Sequence, residues 1–317
     1  MIQRGTTPNE FRSDTASPRR RASWYVLLAI CLCVVPARVF ARHHSGDWFI
    51  VQDALTPLQL TVEAERARLS SDDSEVRRDA VLRLGAIARP ESARAAGIAL
   101  NDSSPAVRAT AAHAVSALPA AEAAALILPL LRDRSEFVRQ EGAYALGAVL
   151  ARIAVVPLVS ALERDKSAGV RGAAAVALGQ IGDVSAVSAL AETLARRVPR
   201  SGFLNRITRR RTEENEFVRR SAARSLGEIG DARAVPALIS VLNDERSADD
   251  LRREAARALG LIKDPAAVPA LRGVLNARDP YLGVIALEAL RRIENRVGTP
   301  LGHSLVGGQS VHQGRRE

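Results

Sequence analysis

Arginine is the residue whose placement could do chemistry in this chain. A Val-Arg or Leu-Arg pair recurs at Val76-Arg77, Val107-Arg108, Val138-Arg139, Val170-Arg171, Val218-Arg219 and Leu251-Arg252. A guanidinium presents five donors in a planar fork suited to carboxylate or phosphate. A second concentration runs from Arg196 to Arg211, with seven arginines, no acid and three large apolar residues. Arg196, Arg197, Arg200, Arg206, Arg209, Arg210 and Arg211, together with Phe203, Leu204 and Ile207, could grip an acidic protein surface. They could equally meet anionic lipid headgroups, with the apolar trio inserting. The bland alternative is a solvated loop, because insertions in loops cost little.

Other reactive types are sparse. His43 and His44 stand near Asp47, but adjacent histidines in an extended segment point apart, and no further ligand follows, so no metal site is expected. Cys31 and Cys33 are the only cysteines, which leaves no disulfide framework or cysteine zinc site further on. There is no Ser/His/Asp set, phosphate-binding glycine loop or HExxH motif. No catalytic residue, cofactor or metal is therefore expected.

The elements that must carry the arginines form a repeat. The six arginines are separated by 31, 31, 32, 48 and 33 residues, and the outlier is one repeat enlarged by 17. A degenerate seventh copy begins at Leu282-Gly283. In the clearest copy, Val218, Ala222, Leu226 and Ile229 fall on one helical face. Ala234 to Leu242 reads as a second helix with Pro236 in its first turn, and Gly230-Asp231 as the turn between them. Asp73, Ser104, Ser135, Ser167, Asn215 and Asp279 stand where side-chain N-caps belong, and the sixth cap is ambiguous between Ser247 and Asp249. Asp102, Asp133 and Asp165 each stand six residues before the arginine of their copy. An Asp–Arg ladder between neighbouring repeats would explain why Arg77, Arg108, Arg139, Arg171, Arg219 and Arg252 recur at one structural position. Two-helix units of this length cannot bury their own apolar faces, so stacking into an α-solenoid follows.

The pattern resembles the HEAT-like repeat of the phycobilisome-lyase type: Val-Arg, Ala-Ala, Leu-Gly, Ile-Gly-Asp, Ala-Val-Pro, Leu, as in Val218-Arg219 through Leu238 and in Leu259-Gly260 with Ala267-Val268-Pro269-Ala270-Leu271. It covers about residues 71–295, and the second and third copies depart at the Ile-Gly-Asp turn. The matching positions are structural ones. Deoxyhypusine hydroxylases of the HEAT type share this architecture but bind iron through His-Glu pairs, which this sequence lacks. Bilin lyases carry the same repeat style, yet no residue here marks a chromophore site. HEAT-like DNA glycosylases bind DNA on a basic surface, and the charge distribution argues against that.

The charge is +10 with a pI near 10.8, but it is localised. Residues 1–41 carry six arginines and two acids, Arg196 to Arg211 seven arginines, and residues 296–317 three arginines and one glutamate, leaving −3 for the rest. A nucleic-acid partner is not expected of a near-neutral body. Hydrophobic content of 47% excludes wholesale disorder, and 3% aromatics with abundant alanine suits close helix packing.

At the N-terminus, Arg19-Arg20-Arg21 precedes the apolar run Trp24 to Ala37, and Val39-Phe40-Ala41 offers a cleavage site. The run is short for a span of about 20 residues and suits a signal-peptide core. A cleaved signal is the first reading; an uncleaved anchor over residues 24–41 and a buried helix are the others. Leu28-Ala29-Ile30-Cys31 fails as a lipobox at Ile30, and Ala22-Ser23 spoils a twin-arginine match.

The expected fold is all-α: a right-handed α-solenoid of about seven two-helix repeats preceded by a signal or anchor segment. The expected organisation is 1–41 signal or anchor, 42–70 capping region with Thr56-Pro57 opening a helix and Trp48 and Phe49 covering the stack, 71–295 solenoid with a basic insertion 196–212, and 296–317 tail. The expected function is an exported (periplasmic or extracellular), non-catalytic scaffold that presents a curved surface to unknown protein partners. A lyase-like enzyme or enzyme subunit, and a membrane-surface adaptor using the arginine-rich loop, are the alternatives.

Overall fold

The computed structural model describes residues 40–42, 48–50, 55–199 and 211–297. The chain divides into two units at Thr56/Pro57. Before that point, β1 (Phe40–Arg42) pairs antiparallel with β2 (Trp48–Ile50). The expected export core, Trp24 to Ala37, and the histidine pair with Asp47 lie outside the described residues, while Ala41 lies within β1. Among the described residues, no helix is long and apolar enough to cross a membrane.

The second unit is helical. It opens with α1 (Pro57–Arg68), which starts at the expected proline and packs on the next two helices. Six helix pairs follow: α2 (Ser74–Ile87) with α3 (Pro90–Gly97), α4 (Pro105–Ala114) with α5 (Ala120–Ile127), and α6 (Glu136–Ala148) with α7 (Val155–Arg164). Then come α8 (Ala168–Ile181) with α9 (Val187–Ala195), α10 (Glu216–Ile229) with α11 (Val235–Asn243), and α12 (Asp249–Ile262) with α13 (Val268–Gly273). The seventh copy is represented among the described residues by α14 (Pro280–Val297) alone.

First helices pack on first helices, and the second helices form a parallel layer behind them. Burial follows the repeat. Val107, Val138, Val170, Val218 and Leu251, each just before a repeated arginine, are fully buried. So are Leu84, Leu146, Leu178, Leu226 and Leu259, seven residues after that arginine, and Leu158, Leu190, Leu238 and Leu271 from the second layer. Each such leucine removes enough apolar surface from water to contribute about 2–3 kcal/mol. The glycine after each first-layer leucine sets the spacing. A Cβ on Gly227 would lie 2.8 Å from Ala258 Cα, and one on Gly260 2.8 Å from Ala289 Cα.

Five first helices end alike. Ala88, Leu150, Gly182, Gly230 and Lys263 all adopt positive φ, eleven residues after their arginine. This left-handed residue turns the chain back towards the second helix. The third copy departs in residue type but keeps the turn. The second does not: Pro119 occupies the position with φ −52°, and α4 gives way early to a 3₁₀ turn over Val115–Ala117.

The caps differ from expectation in four repeats. Asp73 and Asn215 do accept from the amides of Glu75 and Phe217, each at 2.9 Å, and Asp279 accepts from Tyr281 at 3.1 Å. Ser104, Ser135 and Ser167 occupy the N-cap position, but their hydroxyls do not cap. Their own amides donate to Asp102, Asp133 and Asp165, two residues earlier, each at 2.8 Å. Those aspartates close the loop as Asx turns, so the serine fills a backbone position rather than supplying an acceptor. In the sixth copy the cap is Ala248, neither Ser247 nor Asp249. Ser247 is buried and donates to Asp244 Oδ2 at 3.1 Å, while Asp249 and Asp250 lie in the first turn, where the helix dipole favours them.

Candidate functional site

Four of the six repeated arginines, Arg77, Arg108, Arg139 and Arg171, pair with a carboxylate of the next repeat, whereas Arg219 and Arg252 donate to backbone carbonyls. Arg77 donates from Nε and Nη2 to the two oxygens of Asp102 at 2.7 and 2.8 Å, and from Nη1 to Ser71 O at 2.9 Å. Arg108 does the same to Asp133 (2.8 and 2.8 Å) and Asp102 O (2.7 Å), and Arg139 to Asp165 (2.7 and 3.0 Å) and Asp133 O (2.9 Å). Each guanidinium thus ties the loop of its own repeat to the acid of the next. The Arg77 hydrogen bonds hold the Asp102 carboxyl below the usual range against the effect of burial. At Asp133 and Asp165 burial pushes upward, but Arg108 and Arg139, with the Ser135 and Ser167 amides, outweigh it, and both stay low.

The later rungs vary. Arg219 Nε donates to Leu194 O at 3.1 Å and Arg252 Nε to Leu242 O at 3.0 Å, so both are held by backbone carbonyls of the preceding helix. At the last junction Arg253 replaces Arg252 as the forward partner, reaching Asp279 at 2.7 and 2.9 Å while lying 5.2 Å over the Tyr281 ring. Asp279 stands two residues later in its copy than Asp102, Asp133 and Asp165 do in theirs, and the donor has moved with it. Held in this way, Arg77, Arg108, Arg139 and Arg171 join repeats and have few donors left for a ligand.

The insertion is anchored by the same logic. Where the fourth junction should carry its aspartate, the chain has Arg197, and the acid comes instead from Glu214, after the insertion. Glu214 is buried and accepts from Arg171 Nη2 and Nε at 2.6 and 3.0 Å and from the Asn215 amide at 2.7 Å. Arg196 lies 3.6 Å from Glu214 and donates to Leu162 O and Glu163 O at 3.0 and 3.2 Å. Between these anchors, β3 (Arg197–Pro199) and β4 (Arg211–Glu213) pair antiparallel, Arg197 opposite Glu213 and Pro199 opposite Arg211. Of the expected binding residues, Arg196 is therefore committed to the body, and Arg197 and Arg211 stand in the ribbon. Arg200, Phe203, Leu204, Arg206, Ile207, Arg209 and Arg210 lie outside the described residues.

Two of the larger grooves among the described residues lie on opposite layers of the stack. One, of about 500 Å³, lies across α2, α4 and α6 and is lined by Leu82, Thr110, His113, Phe137 and Glu141. His113 is exposed, and its Nε2 lies 2.7 Å from Glu141 Oε2. The other, of about 850 Å³, lies in the second layer between α5, with the 3₁₀ turn Leu128–Arg132, and α7. Arg132 and Arg164 stand on its lining.

Comparison with known families decides the architecture. The HEAT repeats family matches residues 62–147, 130–202 and 245–301, and the PBS lyase HEAT-like repeat matches residues 218–244. The chain belongs to the HEAT-repeat family. Among solved structures it is similar to YibA of Escherichia coli, at 22% identity and a TM-score of 0.52, over 74% of this chain and 82% of that one. It also matches human deoxyhypusine hydroxylase (20% identity, TM-score 0.36, 74% and 96% covered). The complex of CpcE and CpcF of phycocyanin lyase from Nostoc matches at 20% identity and a TM-score of 0.43, with 80% and 99% covered. A comparison with curated proteins produced no match.

Within this HEAT-repeat stack, one set of side chains escaped the sequence reading. Arg132, Arg134, Arg164 and Lys166 flank the ladder acids Asp133 and Asp165 in the chain, and their side chains make no hydrogen bond or ion pair among the described residues. A signal for them existed. Arg132, Arg164 and Arg196 are spaced by 32 residues, one place before each ladder-acid position. That spacing was masked by the more obvious Val-Arg period of the HEAT ladder.

Proposed function

We propose that this HEAT-repeat protein is a non-catalytic scaffold that binds a protein partner across its second-helix layer, with the arginine-rich ribbon modifying one edge. The supporting observation is the contrast between two arginine populations. Ladder arginines are bound into the joints between repeats, whereas Arg132 and Arg164 make no hydrogen bond or ion pair among the described residues and line one groove with exposed apolar side chains such as Val156. A surface of that kind offers a few anchors within a broad contact. The reading takes the stack as a right-handed, curved solenoid with the second helices on the concave side. It takes residues 1–41 as an export segment, which would put the solenoid outside the cytoplasm. The test is in-cell cross-linking of the full chain beside a variant lacking residues 200–210, which keeps Arg196 and Glu214 in place. Recovery of a defined protein partner, weakened by the deletion, supports the scaffold. Recovery of a bound chromophore or metal with the purified chain, or unchanged partner recovery and salt-sensitive release from anionic vesicles, overturns it. Mass analysis of the protein from fractionated cells checks export: retention of residues 1–41 in the cytoplasmic fraction refutes that part.

A further inference from the structure

The groove in the second layer carries the argument a step further, on the assumption that this layer is a binding face. Its walls are apolar, formed by Leu128, Leu131, Val156 and Pro157, and its volume of about 850 Å³ falls within the roughly 300–1,000 Å³ usual for ligand sites. Val156 is 78% exposed, so the groove is open along one side. Two cations, Arg132 and Arg164, stand on the lining at the loop edge, each without a carboxylate or hydrogen-bond acceptor among the described residues. The one acid on the lining, Asp165, is already occupied by Arg139 and the Ser167 amide. The vacant chemistry is therefore apolar along the floor and anionic at one rim.

We infer that this groove docks a short apolar segment of another protein, with carboxylate side chains that pair with Arg132 and Arg164. A free fatty acid meets the same chemistry, but an open trough leaves most of one side of its chain in water, whereas small ligands are usually buried over about 70–90% of their surface. A segment backed by a folded partner covers the open side itself. The chain's own ends are poor occupants. Residues 1–41 carry six arginines against two acids and residues 296–317 three against one, so the two rim cations repel them. Paired with arginine forks, the carboxylates set register and orientation, and the apolar walls supply the burial.

The test uses the full chain and a fluorescein-labelled 12-residue peptide of alternating leucine and glutamate, read by anisotropy. A leucine–lysine twin serves as control. The glutamate peptide is expected to bind at least about tenfold more tightly than the twin. The double variant Arg132→Glu/Arg164→Glu is expected to weaken it by about tenfold or more. Because neither side chain has a partner among the described residues, the melting temperature of the double variant is expected to stay at the wild-type value, which separates lost binding from lost folding. Deleting residues 200–210 is expected to change peptide affinity less than about twofold. Equal binding by the double variant refutes the inference, as does loss of binding on ribbon deletion alone. Displacement of the peptide by phosphatidylglycerol vesicles makes a membrane the occupant and also refutes it. Sedimentation that shows a dimer dispersed by the double variant makes a second copy of this chain the occupant and overturns the inference too. The scaffold reading is judged separately: a cross-linked partner that survives the double variant leaves the scaffold standing and removes the groove. Peptide binding without any cross-linked partner does the reverse.

Discussion

Replacing Arg139 with alanine tests the ladder at an enclosed rung. The Arg139 and Asp165 side chains are only 8% and 10% exposed. The substitution removes two charge-assisted bonds to Asp165, at 2.7 and 3.0 Å, and one to Asp133 O at 2.9 Å. A hydrogen bond to a charged group contributes about 1.5–3 kcal/mol, and stranding one member of a buried pair costs about 3–5 kcal/mol. Asp165 keeps the Ser167 amide, so the stranded carboxylate is not wholly unsatisfied and the cost should be about 2–4 kcal/mol. For a chain of this size that lowers the melting temperature by roughly 5–12 °C. Arg94→Ala is the control. It breaks a bidentate contact between repeats to Glu122, at 2.8 and 3.0 Å, with side chains 55% and 38% exposed. Exposed pairs are screened by water and contribute little, so this variant should melt within a few degrees of wild type. Circular dichroism melts and urea titrations, with hydrogen exchange to localise the opening, are suitable because a repeat stack can lose one joint before the rest. The expected opening lies between the third and fourth repeats. If Arg139→Ala destabilises no more than Arg94→Ala does, the ladder does not hold the repeats together. If instead partner recovery is lost with an unchanged melt, Arg139 is a binding residue.

Acid should act through the same rungs. Asp102, Asp133 and Asp165 are held below the usual aspartate range, so their stabilisation is complete above about pH 4 and is lost as pH falls through their lowered folded values. A melting temperature that stays constant from pH 5 down to pH 2.5 contradicts this. Packing at the repeat glycines gives a paired comparison. Gly260→Ala forces a methyl against the Ala289 backbone at 2.8 Å and should cost about 1–3 kcal/mol, whereas Gly273→Ala meets nothing within 4 Å and should be neutral or slightly stabilising in the same urea titration. Ala88 holds the left-handed turn at φ 52° without being glycine. Ala88→Gly should therefore stabilise by up to about 1 kcal/mol, and a lower urea midpoint shows that the turn is not strained.

What could be read in advance followed from periodic constraint. The buried Val-Arg valines, the Leu-Gly leucines and the forward acids recur because every repeat must meet an identical neighbour, so one copy predicts the next. Reading failed where two residues satisfy the same backbone need. Ser104 and Asp102 both suit a helix start, and spacing alone does not say which carboxylate or hydroxyl receives the amide. The structure assigns it to the aspartate, whose carboxylate serves Ser104 N and Arg77 together. The role of Glu214 was hidden for another reason. It supplies the fourth junction from the far side of the insertion, at a separation of 43 residues from Arg171, one residue beyond Glu213, which holds the place six before Arg219.

The two arginine rows mark the limit of such reading. Arg77, Arg108, Arg139 and Arg171 recur at separations of 31, 31 and 32 residues, and Arg132, Arg164 and Arg196 at 32 and 32. The periods are indistinguishable, yet the first row is held in bidentate pairs, while Arg132 and Arg164 have no partner among the described residues. Arg196 belongs to the second row by position and to the first by contact, because the insertion brings Glu214 to it. Period reports only that a residue shares a place in the stack. Its charge is available to a partner only if no neighbouring repeat supplies an acid at that place. A basic face on a solenoid is therefore counted after the arginines in the joints are removed. Here that subtraction moves the candidate surface from the Val-Arg row to the groove edge at Arg132 and Arg164 and to the ribbon beyond it.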